Sequence, residues 1–108
     1  VVVLGHSNCG AIIATLRELA LKESHRSPNL RAIVDRIRPA LDPVLEEYYD
    51  VEDEVVVASC VRANVQASVD GLQHGSLILE QLIEAKELNI IGAEYSIETG
   101  YIDFFESD

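Results

Sequence analysis

The sequence predicts an α/β fold in which a small, mostly parallel sheet is covered by helices. Three observations carry this. Val1-Val2-Val3-Leu4 is a short apolar run, rich in β-branched residues and ended by Gly5; a helical apolar stripe begins directly behind it; and a second run of strand character, Leu88 to Tyr95, appears only after a long helical stretch. Parallel neighbours need a crossover connection, and the helices between the two runs provide one. Val1 to Leu4 is therefore expected as a central parallel strand.

Behind Gly5, Ser7 or Asn8 is placed to cap a helix from about Cys9 to Lys22, whose stripe is Ile12, Ile13, Leu16, Leu19 and Ala20. Ser27-Pro28 and Asp42-Pro43 each set a capping residue before a proline suited to the first helical position. Two helices are expected there, with stripes Leu30, Ile33, Val34, Ile37 and Leu41, Val44, Leu45, Tyr48, and with Pro39 breaking the chain between them. Seven acidic residues and no base lie between Pro39 and Cys60, which predicts a solvated face and an acidic loop around Asp50 to Glu54.

Val55 to Leu72 is valine-rich, yet Ala58, Val61, Val65, Val69 and Leu72 recur at helical spacing, so this stretch is read as a helix. Gly75-Ser76 interrupts it, and Leu79, Leu82 and Ile83 carry a shorter helix to about Glu87. A turn at Glu98-Thr99-Gly100 then joins the second strand to a third, Tyr101 to Phe105. With only two or three strands visible, the sheet is expected to gain further strands from upstream or from a partner subunit.

Composition limits the function classes. The 108 residues suffice for one domain, and with 48% hydrophobic and 25% charged residues the chain has the make-up of a globular core. Eight basic against 19 acidic residues leave a net charge of -11, which repels a phosphate backbone and an anionic membrane surface. No run reaches the ~18 apolar residues of a membrane span, and the first residues show no basic region followed by an apolar stretch and cleavage site, so a cytoplasmic protein is expected. A chain opening on Val1 inside a strand also reads as beginning within a longer protein. Two cysteines, Cys9 and Cys60, are too few for a secreted disulfide framework.

The chemistry concentrates in Gly5-His6-Ser7-Asn8-Cys9-Gly10-Ala11. His6 falls where the strand ends and Cys9 in the first helical turn, at the carboxyl edge of the sheet where open α/β folds place their sites. The positive end of the helix favours the thiolate that zinc binds. Spacing alone leaves two readings open: a metal-binding pair, or a Cys9 that simply packs toward Ile12 and Leu16.

This heptapeptide, preceded by an apolar strand, resembles the second zinc-binding motif of the β-class carbonic anhydrases. Ile91-Gly92-Ala93-Glu94-Tyr95-Ser96-Ile97-Glu98-Thr99-Gly100 is similar to that family's strand-and-turn signature, and Asn64-Val65 with Ser68-Val69 and Leu72 resembles the helix before it. The resemblance implies a β-carbonic-anhydrase-like fold, incomplete at the N-terminus, with zinc as cofactor and His6 and Cys9 as two of its ligands. It implies reversible hydration of carbon dioxide to bicarbonate by a zinc-activated water, in a homodimer or higher homo-oligomer. The Gly10 N–H would help orient bicarbonate; the other reading of Gly10 is a glycine needed for close helix packing.

The family's Cys-x-Asp-Ser-Arg motif, which supplies a third protein ligand and an Asp-Arg dyad, does not occur here, so no catalytic residue is identifiable. The chain alone is expected to be inactive. Two other readings stand beside it: a non-catalytic relative acting as a structural or oligomerisation module, and a related zinc hydrolase of carbon disulfide or carbonyl sulfide. Cys60 matches no ligand position and reads as a buried thiol, His25 and His74 as exposed side chains, and Tyr95, Tyr101, Phe104 and Phe105 as core or interface aromatics.

Overall fold

The computed structural model describes residues 1–47 and 53–105. Among them the chain forms four α-helices and a small mixed sheet, in the order β1 (Val2–His6), α1 (Gly10–Ala20), α2 (Arg31–Leu45), α3 (Glu54–His74), α4 (Leu77–Glu84), β2 (Ile91–Tyr95) and β3 (Ile102–Phe104). It divides into two compact units: Val1–Ser7 with Val65–Asp108, and Asn8–Asn64. Of the expected features, Tyr48 and most of the Asp50 to Glu54 acidic loop lie outside the described residues. No helix among those described is long and apolar enough to cross a membrane.

The first unit holds the sheet, in the order β1-β2-β3. β1 pairs with β2 in parallel, Val2 with Ile91 through His6 with Tyr95, and β2 pairs antiparallel with β3, Ala93 with Phe104. The expected central place of β1 is thus corrected: among the described residues β2 is central and β1 lies at an edge. Residues paired across a ladder share a face, so Val2, Leu4, His6, Ile91, Ala93, Tyr95, Ile102 and Phe104 form one side of the sheet. That side is widely open, with Leu4 53% and Phe104 55% exposed.

On the other side Val3 packs toward a core of Val65, Val69, Ile90 and Phe105, joined by Leu79, Ile83 and Leu88. The close approach is made at Gly92, where a Cβ would stand 2.8 Å from Phe105 Cδ2 and 2.9 Å from Val65 Cγ1. Of the four aromatics, only Phe105 joins the core; Tyr101 is 79% exposed and Phe104 more than half exposed. The β2–β3 turn needs the left-handed conformation at Gly100 (φ 79°), and the Gly100 N–H donates to Ser96 O over 2.8 Å. Ser76 caps α4 as a serine should, its Oγ accepting from the Leu79 N–H at 3.4 Å.

The second unit is helical. Its core is Ile12, Leu16, Leu41, Val56, Cys60 and Val61. Thr15, also buried, keeps its hydroxyl satisfied by donating to Ala11 O at 2.8 Å. The expected break at Pro39 is corrected: α2 is one helix with Pro39 and Pro43 inside it, preceded by a 3₁₀ turn at Pro28–Leu30. Val34, Ile37, Leu41, Val44 and Leu45 form one continuous stripe that is buried or half-buried, whereas both prolines are exposed. Burial of the stripe outweighs the lost backbone bonds, and the freed carbonyls sit on the wet side, where water can take them. In α3 the helix reading holds, with Val61, Val65 and Val69 buried; Ala58 and Leu72 are exposed, and Val56 and Cys60 take up the buried line instead.

Gly92→Ala should destabilise the chain by about 1–3 kcal/mol, because the added methyl overpacks against Val65 and Phe105. Urea denaturation of the variant checks this, and Gly92→Ala combined with Phe105→Leu should recover part of the loss.

Candidate functional site

His6 ends β1 in the first unit, on the open side of the sheet, paired in register with Tyr95. Its Nδ1 lies 2.9 Å from Ser7 O. A carbonyl only accepts, so Nδ1 carries a proton in this bond, and the ring in its neutral form has its lone pair on Nε2. That is the form in which an imidazole binds a metal, one nitrogen donating to a carbonyl and the other free to coordinate.

Cys9 begins the second unit's first helix. It occupies the N-cap position, and its own side chain makes no capping bond to the helix N–H groups. The expected cap position, Ser7 or Asn8, is corrected to Cys9. Ser7 instead accepts the Ile97 N–H on its Oγ at 3.0 Å within the first unit, and Asn8 adopts a left-handed conformation (φ 52°), a geometry asparagine tolerates better than most residues. Cys9 is half-buried against the core containing Ile12, Leu16 and Cys60, so its apolar role is real whatever else it does. Gly10 opens α1 in an exposed position where an added Cβ meets nothing within 4 Å. No described neighbour in this chain calls for a glycine at that position.

Cys60 is fully buried and a free thiol, and burial pushes its pKa up. His25 and His74 are both exposed. The donor types of His6 and Cys9 suit zinc, an imidazole with a free Nε2 and a thiol at a helix N-terminus. Two donors do not complete a coordination set, and no group of three or more His, Cys, Asp or Glu side chains placed to hold a metal occurs among the described residues. Sequence reading did not single out Ser7 beyond its capping role. Its true partner lies 90 residues away, and no local pattern signals such a bond.

The family model that describes carbonic anhydrases matches residues 1–102. A carbonic anhydrase of Synechococcus elongatus is 29% identical over 102 residues, covering 94% of this chain and 36% of that protein. Among solved structures, the β-carbonic anhydrase CcaA superposes with a TM-score of 0.78 at 26% identity, over 97% of this chain and 50% of that one. One of two tetrameric β-carbonic anhydrases from Sordaria macrospora shares the fold, with a TM-score of 0.77 at 20% identity over 98% and 51% of the respective chains. The chain thus spans about half the length of these structures, and less of the Synechococcus protein.

Two outcomes follow from the surroundings of these residues. Gly10→Ala should leave folding intact or add up to about 1 kcal/mol of stability, since the site is open and alanine restricts the unfolded chain; thermal denaturation checks it. For Cys60, the unfolded thiol titrates at its ordinary value of 9.0 and the folded one higher. Its contribution is intact below that value and is lost as pH rises above it, because the unfolded state alone then releases the proton. Stability should therefore fall more steeply above about pH 9 in the parent chain than in Cys60→Ala, as measured by denaturation across pH 7 to 10.

Proposed function

Because the chain belongs to the carbonic anhydrase family, we propose that it serves the reversible hydration of carbon dioxide to bicarbonate and a proton, with zinc as cofactor and His6 and Cys9 as two of the ligands. The observation that carries this reading is the His6 ring at the end of β1, whose Nδ1 lies 2.9 Å from Ser7 O, which leaves Nε2 as the nitrogen that a metal would take from the neutral ring. Zinc, when bound, supplies a water acidified to near neutrality. The protein's own contribution is to hold ligands and orient substrate. Gly10 is suited to orienting substrate, because its N–H lies in the first turn of α1, without an intrahelical acceptor, and open space surrounds its Cα.

A second reading, a non-catalytic module that serves association, rests on the open apolar side of the sheet. On either reading we expect association with further copies of the chain. The open apolar side of the sheet, with Val2, Leu4, Ile102 and Phe104, supports this, as does the tetrameric state named for the Sordaria macrospora enzymes. The net charge of -11 argues against nucleic-acid and membrane partners and fits a cytoplasmic protein.

The 108 residues on their own should retain substoichiometric zinc after dialysis against a chelator, and with added zinc should hydrate carbon dioxide no faster than the free ion. A form that also carries a Cys-x-Asp-Ser-Arg segment should be active and lose at least ~100-fold on Cys9→Ser or His6→Ala. Metal analysis and a stopped-flow pH-indicator assay decide this. One firmly held zinc per 108-residue chain would overturn the expectation of an incomplete ligand set, and an active Cys9→Ser variant of the longer form would refute the ligand assignment.

A further inference from the structure

We propose that Ser7 is the positioning residue for His6, fixing the tautomer and direction of its ring through a bond to the β2–β3 turn. Three hydrogen bonds meet on this one residue. Its N–H donates to Tyr95 O at 2.9 Å, its Oγ accepts the Ile97 N–H at 3.0 Å, and its carbonyl accepts from His6 Nδ1 at 2.9 Å. The first two tie Ser7 to β2 and to the turn beyond it, so the carbonyl that receives the imidazole proton is held from both sides.

The turn is itself a stiff support. Ser96 N–H donates to Tyr101 O at 2.9 Å, Gly100 N–H to Ser96 O at 2.8 Å, and Tyr101 N–H to Thr99 Oγ1 at 3.2 Å. An exposed imidazole in water prefers its proton on Nε2, the opposite of what a ligand coordinating through Nε2 requires. A fixed acceptor at Nδ1 reverses that preference before any metal arrives. The serine hydroxyl thus acts on the imidazole at one remove, through its own backbone.

The consequence for zinc rests on the reading of His6 as a ligand; the consequence for the ring does not. In the metal-free 108-residue chain, ring ¹⁵N chemical shifts of neutral His6 should report mainly the Nδ1–H tautomer. Ser7→Ala should shift the tautomer ratio at least ~3-fold toward Nε2–H and weaken zinc binding about tenfold in chelator competition, whereas Ser7→Thr, which keeps the acceptor oxygen, should preserve both. Ile97→Pro removes the same bond from its donor side, at the turn position where proline is favoured, and decides the matter if Ser7→Ala fails to fold. A parent ring already in the Nε2–H form, or ring shifts unchanged in the variants that fold, overturns the proposal. A shifted tautomer in a chain whose parent binds no zinc upholds the positioning role and removes the ligand reading; a shifted tautomer with unchanged zinc affinity overturns the link between the two.

Discussion

The parallel pairing of β1 with β2 is the constraint on which the rest of the first unit depends. It brings residues 2–6 beside residues 91–95 in a fixed register, and a parallel pair can be joined only by a long crossover. Register then decides everything at the strand ends: His6 falls beside Tyr95, and Ser7, one residue on, falls where the β2–β3 turn can reach it. A slip of one residue would turn His6 to the covered side of the sheet and carry Val3 out of the core. Gly92 permits this arrangement, since only a residue without Cβ lets Val65 and Phe105 close over the centre of β2.

Much of this was legible in the sequence because it is written in local patterns. The apolar run at Val1 to Leu4, the stripe behind Cys9, the valines of α3 at helical spacing and the Gly100 turn each announce themselves within a few residues. What misled was also local. Pro39 reads as a helix breaker, and in isolation it would be one; the stripe from Val34 to Leu45 buries enough to carry the helix through it. Ser7 reads as a cap because serine before a helix usually is one, but its hydroxyl has a partner 90 residues away that no spacing rule could reveal.

The candidate site shows the same division. His6 and Cys9 stand out in the sequence by residue type and position, and the likeness to a zinc motif proposes a chemistry for them. The tautomer of His6 was not legible, since it depends on where the Ser7 carbonyl points once the turn holds it. Nor could composition separate the two meanings of Gly10; within this chain a Cβ there meets nothing within 4 Å.

The two prolines of α2 reach further than the shape of that helix. Each lacks the N–H that would bond four residues back, so the carbonyls of Asp35 and Pro39 receive no intrahelical donor. With a propensity penalty of ~3 kcal/mol for each proline in a helix interior, residues 31–45 have little reason to be helical before Val34 and Leu41 find the side chains they cover. Helix α2 thus owes its form to what it covers more than to its own sequence, whereas α1 and α3 hold no proline in their interiors.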